Sequence, residues 1–424
     1  MSQTISWDSK GNWRHTGPGG RGLSKAGPAR IREVLAGYVE SGAVPGLVAL
    51  VGRDDEVHVE TLGTLHARNG GEGGAPMRRD TIFRMASLTK PVTAAAVMIL
   101  VEECRLRLDD PVDPWLPELA DRRVLARIDA PLKDTVPARR PVTVRDLLTL
   151  TFGFGLVPAP PDTYPIQTAI RELGITGDGT ANWPTTGPDE WLARLGSLPL
   201  MYQPGERWQY HVGSDVLGVL VARVAGQSFG AFLRDRLFEP LGMADTGFHV
   251  PAAQLHRLPT SYAHDPVTGE LTVWDEAEGG KYSRPPVFEA GGDGLVSTVD
   301  DCHAFFRMLL DKGRHGEERV LSRAAVELMT MDHLTPGQKA EKDQFGDHFG
   351  RHGGYGFGLA VRTHRRDLAS VGQFGWDGGL GTTAYADPAE GLSGILLTQS
   401  ALDTVDTRRL HQDFWTAVYR SIDD

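Results

Sequence analysis

Cysteine is scarce in this chain, which has two, Cys104 and Cys302, among 424 residues. A chain of this length can bury a full hydrophobic core without cross-links, so the composition excludes a small disulfide scaffold. Both cysteines stand in apolar, helix-like segments. The two cysteines could pair, but we expect two free thiols, as in a reducing cytoplasm.

Long apolar runs are also lacking. None approaches the roughly 18 residues that a membrane-spanning helix needs. Residues 1–22 are polar and rich in glycine, and they lack the apolar core of a secretion signal. We expect a cytoplasmic protein with no membrane partner.

Basic charge is in deficit, with 44 lysines and arginines against 55 acidic residues and a net charge of −11. No lysine or arginine run is present, so we expect no nucleic-acid partner. No Walker phosphate loop occurs, and we expect no cofactor. His348 and His352 stand among glycines that disfavour a helix, so we expect no metal site either.

One stretch does carry a chemical pattern: residues 83–91, FRMASLTKP, followed by the apolar run 92–101. Residues apolar on every side predict a buried helix. Ser87 and Lys90 stand at its start, three residues apart and on one face. Burial and the helix dipole lower the pKa of a lysine there, and a neutral amine can take the proton of Ser87. Alternatively, the serine is a helix cap and the lysine is solvated, but the chain has no other Ser-x-x-Lys.

Tyr210 is the second candidate, because it stands just before another apolar helix-like run, 216–224. A phenol beside a cationic lysine has a lowered pKa and can shuttle a proton between Ser87 and a leaving group. The alternative is a tyrosine at a domain seam with its hydroxyl in water.

The third candidate is the glycine-crowded strand end at residues 374–382, FGWDGGLGT. Glycine within a strand pattern often marks the close approach of another molecule to the backbone. An N–H group there could complete an oxyanion hole with the N–H of Ser87. The alternative is a tight hairpin.

The order of patterns along the chain predicts one sheet built from both ends, with helices and loops between them. Strands are expected at 47–52 and 57–65, and then at 358–363, 370–373, 382–386 and 394–399. We divide the chain into an arm (1–27), an α/β domain (28–110 and 287–424) and a helical domain with cap loops (111–286). Within the proline-rich stretch 152–206, aromatic residues including Phe152 and Trp183 either line a pocket or pack the surface.

Together these motifs resemble the serine β-lactamase and penicillin-binding-protein superfamily. They are Ser87-Leu88-Thr89-Lys90, Tyr210 and Trp376-Asp377-Gly378, and the likeness is greatest to class C β-lactamases and family VIII carboxylesterases. Further family-like phrases occur at 82–87, 108–112, 142–148, 203–205, 240–243 and 291–298.

The resemblance implies an α/β (α+β) fold: a sandwich of an antiparallel sheet flanked by helices, plus an all-helical region. It implies Ser87 as nucleophile, Lys90 as its partner and Tyr210 as general acid and base. It also implies an oxyanion hole from the backbone of Ser87 and Gly379.

Two departures bear on the substrate. Val212 stands where these β-lactamases carry the asparagine of Tyr-x-Asn. Trp376 and Asp377 replace a lysine and a threonine that bind the substrate carboxylate. We expect Trp376, Asp377 and Gly378 to contact a neutral substrate, together with Phe152 and Trp183. If Asp377 faces the site, it repels anions.

We therefore interpret the chain as a serine carboxylesterase for small neutral esters that works through an acyl-enzyme. The alternatives are a β-lactamase, a D-peptidase or a linear-amide hydrolase, or an acyltransferase that uses the same acyl-enzyme. A catalytically silent binding protein on this fold is a third possibility. The sequence gives no oligomeric state.

Overall fold

The computed structural model describes residues 5–7, 13–15, 22–54, 56–67, 74–176, 184–339 and 353–423. These residues form twelve α-helices and nineteen short or long strands. The helices are α1 (Gly27–Glu40), α2 (Thr89–Glu102), α3 (Val144–Leu148), α4 (Pro165–Glu172), α5 (Pro188–Ser197), α6 (Val212–Ala225), α7 (Phe229–Leu233), α8 (Glu239–Leu241), α9 (Val299–Leu310), α10 (Arg323–Met329), α11 (Pro336–Lys339) and α12 (Val405–Arg420). The strands are β1 (Ile5–Trp7), β2 (Trp13–His15), β3 (Gly22–Leu23), β4 (Gly46–Arg53), β5 (Glu56–Gly63), β6 (Phe83–Arg84), β7 (Arg123–Leu125), β8 (Thr135–Pro137), β9 (Ser261–His264), β10 (Leu271–Asp275), β11 (Val296–Ser297), β12 (Arg314–His315), β13 (Glu318–Arg319), β14 (Gly353–Tyr355), β15 (Ala360–Arg362), β16 (Phe374–Gly378), β17 (Thr382–Asp387), β18 (Leu392–Thr398) and β19 (Ile422–Asp423).

The main sheet has seven strands in the order β14-β15-β16-β17-β18-β4-β5, and every neighbouring pair is antiparallel. Strands from both ends of the chain thus meet where β18 pairs with β4. This mixed, mainly antiparallel architecture confirms the predicted fold class.

Helices cover both faces of the sheet, and the side chains of β4 show why. Val48 and Leu50 belong to the large core that also contains α2, whereas Leu47, Ala49 and Val51 pack with α1 and α12. Successive side chains on a strand point to opposite faces, so a strand covered on both sides is apolar throughout. All eight residues of β4 are buried.

The helices α2 and α6 lie in the interior. Twelve consecutive residues of α2, 89–100, and ten of α6, 212–221, are buried. This confirms the prediction of a buried helix after Ser87. The two helices pack on each other, and β16 lies against the turn that leads into α2. The starts of both helices therefore meet beside β16 of the main sheet.

The start of α3 is set by a local hydrogen bond. The side chain of Thr143 accepts the N–H of Asp146, and Asp146 binds the N–H of Thr143 in return. This reciprocal cap fixes the first turn of a helix. Cys104 and Cys302 are unpaired, as expected.

Three predicted segments differ from the structure. The strand expected at 370–373 begins at Phe374 instead, because Gly372 turns the chain at φ +93° and the N–H of Ser370 donates to Asp387. The stretch 152–206 contains α4 and α5, and the helical region 111–286 also holds the strand pairs β7–β8 and β9–β10. The division into arm, α/β domain and helical domain stays a prediction.

In the described part of the chain, no single helix has the length and apolar composition to cross a membrane. The bent pair 212–225 and 229–241, with 78° between its helices, meets those criteria only when it is taken together.

Candidate active site

Ser87 and Lys90 meet at the start of α2. Ser87 lies in a short 3-10 turn, Ala86–Leu88, which runs directly into α2. Side chains three residues apart share a helix face, and the Nζ of Lys90 lies 3.0 Å from the Oγ of Ser87. The structure therefore brings together the pair that the spacing predicts.

Lys90 is enclosed by protein, with 1% of its surface exposed. Its Nζ lies 2.7 Å from the carbonyl oxygen of Gly292 and 3.2 Å from the Nδ1 of His211. Burial lowers the pKa of Lys90 to about 8, although the carboxylates of Asp293 and Asp215 act in the opposite direction. About a tenth of the amine is therefore neutral at pH 7, far more than for a lysine with the usual pKa.

Tyr210 approaches the same point from the turn that precedes α6. The Nζ of Lys90 lies 4.4 Å from the centre of the Tyr210 ring. The indole Nε1–H of Trp376 donates to the Tyr210 hydroxyl over 2.8 Å. Burial raises the pKa of Tyr210, and hydrogen bonds with Ser87 and Trp376 only partly offset it. The expectation of a lowered tyrosine pKa was wrong, because desolvation of the phenolate outweighs the neighbouring groups.

Aromatic rings hold Tyr210 in place. Trp208 stacks on it with ring centroids 5.5 Å apart, and Trp376 lies 5.6 Å away on a tilted plane. Tyr355 closes the group, with centroids 5.5 Å from Trp208 and 5.4 Å from Trp376. Rings packed at these distances fix the direction of the hydroxyl.

The glycines of the third motif allow β16 to lie directly against the nucleophile turn. A Cβ on Gly378 would stand 2.4 Å from the carbonyl oxygen of Met85. The Thr382 hydroxyl also donates to that oxygen, over 2.9 Å. Beyond the strand end, a Cβ on Gly379 would meet no atom within 4 Å. The assignment of Gly379 to an oxyanion hole stays a prediction.

Trp376 and Asp377 are neighbours on β16 and therefore face opposite ways. Trp376 faces Tyr210, whereas the Asp377 carboxylate accepts the Tyr385 hydroxyl over 3.0 Å and lies 3.8 Å from the Nδ1 of His411 on α12. This orientation corrects two expectations, namely that Asp377 contacts the substrate and that it repels anions there. Its side chain is held on the face away from Tyr210.

The cap residues also differ from expectation. Phe152 has no exposed surface and lies beneath the start of α6, near Gly213. The adjoining chain binds the backbone before α6, since the N–H of Leu156 donates to the carbonyl of Tyr210 over 3.0 Å. Phe152 thus packs beneath the start of α6 and does not line an open pocket. Trp183, His348 and His352 lie outside the described residues.

Sequence reasoning missed His211, Asp215 and Asp293. The Nε2 of His211 lies 3.3 Å from Asp215 and 3.9 Å from Asp293, and its Nδ1 faces Lys90. Their ligand atoms lie within 4.8 Å of one another, close enough to surround a cation. We interpret them as a hydrogen-bonded network, because His211 and Asp215 already bind Lys90 and Gly292. A histidine next to Tyr210 was the available signal.

A second serine also merits comparison. Residues 226–230, GQSFG, fit the Gly-x-Ser-x-Gly pattern of a nucleophile elbow. That elbow needs a strand before the serine, but Ser228 lies between two helices, and its Oγ accepts the N–H of Ala231 as the cap of α7. Ser228 is therefore a structural serine.

A buried serine beside a lysine of lowered pKa and a tyrosine, at the junction of an antiparallel sheet with interior helices, defines a serine hydrolase. The chain belongs to the Beta-lactamase family, whose model matches residues 31–413.

Relatives of this chain include enzymes described as esterases. Protein Rv1367c of Mycobacterium tuberculosis is 38% identical over 386 residues, covering 88% of this chain and 90% of the relative. Esterase EstB of Burkholderia gladioli is 32% identical over 400 residues, covering 88% and 91%. The solved structure of EstCE1, described as a hydrolase with promiscuous acyltransferase activity, superimposes with a TM-score of 0.77 at 26% identity, covering 93% and 99%. The chain is thus a serine hydrolase, and its relatives support an esterase or acyltransferase.

Proposed function

We propose that this protein is a carboxylesterase that hydrolyses small neutral carboxylic esters through an acyl-enzyme on Ser87. One observation carries the proposal. The indole of Trp376 lies beside the buried Ser87–Lys90–Tyr210 group and donates to the Tyr210 hydroxyl over 2.8 Å. An enzyme that binds a substrate carboxylate would need a cation at this place.

Acylation follows from the contacts of Ser87. Its Oγ attacks the ester carbonyl carbon while its proton passes to the neutral amine of Lys90, 3.0 Å away. The oxyanion formed on the carbonyl oxygen would accept the N–H groups of Ser87 and Gly379. When the carbon–oxygen bond breaks, the leaving alkoxide takes the Tyr210 proton, which the protonated Lys90 then replaces.

Deacylation repeats these steps with water in place of the serine. A water molecule attacks the acyl carbon, its proton passes to the Tyr210–Lys90 pair, and Ser87 leaves as it regains a proton. An alcohol can attack in the same position and gives a new ester. Acyl transfer is thus a second candidate, favoured by the description of EstCE1.

Selection by charge rests on Trp376 alone once Asp377 is turned away. An indole has one N–H donor and no charge. A lysine in its place would attract a substrate carboxylate, and near a protein surface such an attraction amounts to a few kcal/mol at about 4 Å before screening by salt. The motif therefore favours neutral esters over β-lactams and peptides with a free carboxylate.

The test compares kcat/KM for p-nitrophenyl acetate, p-nitrophenyl butyrate, an anionic chromogenic cephalosporin and a short linear amide. We expect the neutral esters to be preferred over the cephalosporin by at least about tenfold, which corresponds to roughly 1.4 kcal/mol. Mass spectrometry should detect the acyl group on Ser87.

Two variants separate charge from hydrogen bonding. Trp376→Phe removes the N–H to Tyr210 without adding charge, whereas Trp376→Lys adds a cation. We expect Trp376→Lys, relative to Trp376→Phe, to shift the preference about tenfold toward the cephalosporin. If the wild type cleaves the cephalosporin or the amide as efficiently as the esters, the neutral-ester proposal is wrong and the amide-hydrolase alternative replaces it. The cytoplasmic location stays a prediction.

A further inference from the structure

We propose that His211 is a positioning residue that directs the lone pair of the Lys90 amine at Ser87, held in turn by Asp215 and Asp293. The proposal rests on the proposed chemistry of Ser87 and Lys90. It assigns a role to a partly buried side chain that the acylation steps above do not use.

The hydrogen-bond partners of Lys90 account for both of its amine hydrogens. A neutral amine has two N–H groups and one lone pair. The carbonyl oxygen of Gly292, at 2.7 Å, can only accept, so it takes one N–H. If His211 Nδ1, at 3.2 Å, accepts the other, the lone pair is left for the hydroxyl of Ser87 at 3.0 Å. The amine then has no competing orientation.

The carboxylates beside His211 favour one tautomer of its imidazole. Its Nε2 faces carboxylate oxygens of Asp215 at 3.3 Å and Asp293 at 3.9 Å. A carboxylate oxygen accepts hydrogen bonds, so a neutral imidazole that donates to Asp215 carries its proton on Nε2 and leaves Nδ1 as the acceptor. The Nδ1 of His211 can thus accept the second N–H of Lys90, which leaves the lone pair of the amine for Ser87.

The same carboxylate also places the other partner of Lys90. Asp215 accepts the N–H of Gly292 over 2.8 Å, and the carbonyl of Gly292 is the group that binds Lys90. Asp215 therefore reaches Lys90 along two paths, one through the imidazole and one through a single peptide unit.

The backbone of His211 supports the assignment. It lies at φ +84° and ψ −70°, and the N–H of Val212 donates to the carbonyl of Tyr210 over 3.3 Å. This is a γ-turn of the rare and strained form. Strain of this kind persists where the surroundings over-determine it, and it clusters at functional sites. Here the turn brings the imidazole to Lys90 immediately after it presents Tyr210.

The charges around the pair predict the direction of a pH effect. Asp215 and Asp293 both favour the protonated form of Lys90. The charge of Lys281 lowers the pKa of Asp293, and the Tyr210 ring lies over the Lys90 amine. The imidazole stands between the amine and the two carboxylates. Removing it lets the carboxylates act on Lys90 directly, so the amine should stay protonated to higher pH.

The test measures the rate at which a fluorophosphonate probe labels Ser87, as a function of pH. This step reports the nucleophile and its base without ester turnover. His211→Gly removes the ring and relieves the left-handed backbone. We expect labelling to slow by about 10- to 100-fold, because small misplacements of a reacting group cost this much. The acid limb should also move upward by about one pH unit.

Added imidazole should restore a part of the rate in His211→Gly, and His211→Asn should retain more activity than the glycine variant because its amide oxygen can accept from Lys90. Asp293→Asn should move the acid limb to lower pH, since it removes a carboxylate that favours protonated Lys90. His303→Ala is the matched control. That imidazole is also partly buried, but it binds Ser393, and its loss should leave the pH profile unchanged.

Wild-type labelling rates and pH profile in both His211 variants would overturn the proposal. So would a loss matched by lowered thermal stability, without imidazole rescue and without a shift of the acid limb. The proposed substrate is tested separately. If the enzyme does not hydrolyse neutral esters but its labelling still depends on His211, the ester proposal is wrong and the positioning role of His211 is retained.

Discussion

The turns that lead into α2 and α6 both contain a strained residue, yet they deliver their groups in different ways. Ala86 has φ +46° and precedes Ser87, and His211 has φ +84° and follows Tyr210. At α2, nucleophile and base lie on the same helix, three residues apart. At α6, Asp215 lies on the helix itself, four residues after His211, but Lys90, Trp376 and Asp293 reach Tyr210 and His211 from elsewhere in the fold.

The difference separates local from tertiary determinants of the site. The pairing of Ser87 with Lys90 follows from helical geometry, because side chains three residues apart in a helical turn share one face. The start of α6 depends on partners distant along the chain, so its protonation states are properties of the assembled core. Substitutions at these two helix starts should therefore have different signatures.

The largest expected effect is at α2. Ser87→Ala and Lys90→Ala should each lower kcat/KM for a p-nitrophenyl ester by about 10⁴-fold or more, because residues that act as a unit fail together. Ser228→Ala is the matched control. It removes a helix cap, which costs about 0.5–2 kcal/mol of stability, and turnover should stay within about twofold. Wild-type turnover in Ser87→Ala would refute the assignment of the nucleophile.

At α6, Tyr210→Phe should lower kcat/KM by about 10²-fold, the usual contribution of a positioned acid or base. The raised pKa keeps the phenol protonated, so it serves as an acid toward the leaving alkoxide. The loss should grow as the leaving group becomes more basic, and this is measured with a series of phenyl and alkyl esters. Equal losses across the series would contradict leaving-group protonation.

The pH dependence follows from Lys90. Its pKa is lowered to about 8, and only the neutral amine accepts the proton of Ser87. Below that pH, kcat/KM should fall about tenfold per unit, and above it the rate should level off. Buffer-matched profiles of the wild type check this. An unchanged kcat/KM across this range of pH would mean that another group is the base.

The smallest effect is expected from the strained residue at α2. Ala86→Gly relieves a left-handed conformation that costs an L-residue about 1–2 kcal/mol, while the unfolded chain gains entropy that offsets much of it. Stability measured by denaturant unfolding should change by less than about 1 kcal/mol, and turnover by less than about threefold. A large loss of activity would show that Ala86 itself holds the oxyanion site.

Much of the fold could be predicted from local pattern. The apolar run after Lys90 indicated a buried helix, and the apolar strand patterns at both ends of the chain indicated one sheet. Both follow from side-chain periodicity, which neighbouring residues determine. The strand expected at 370–373 was displaced to Phe374 because a bond to Asp387, 17 residues away, holds the N–H of Ser370.

By itself the sequence determined the pairing of Ser87 with Lys90 and the presence of Tyr210 and Trp376 as separate candidates. Only the tertiary structure decided which face of β16 lies toward Tyr210. The side chain of Asp377 therefore lies on the opposite face, near Tyr385 and His411. It also decided that burial raises the pKa of Tyr210, and that a γ-turn brings His211 to Lys90. Spacing along one helix is a local property, whereas desolvation and contacts between distant segments exist only in the packed chain.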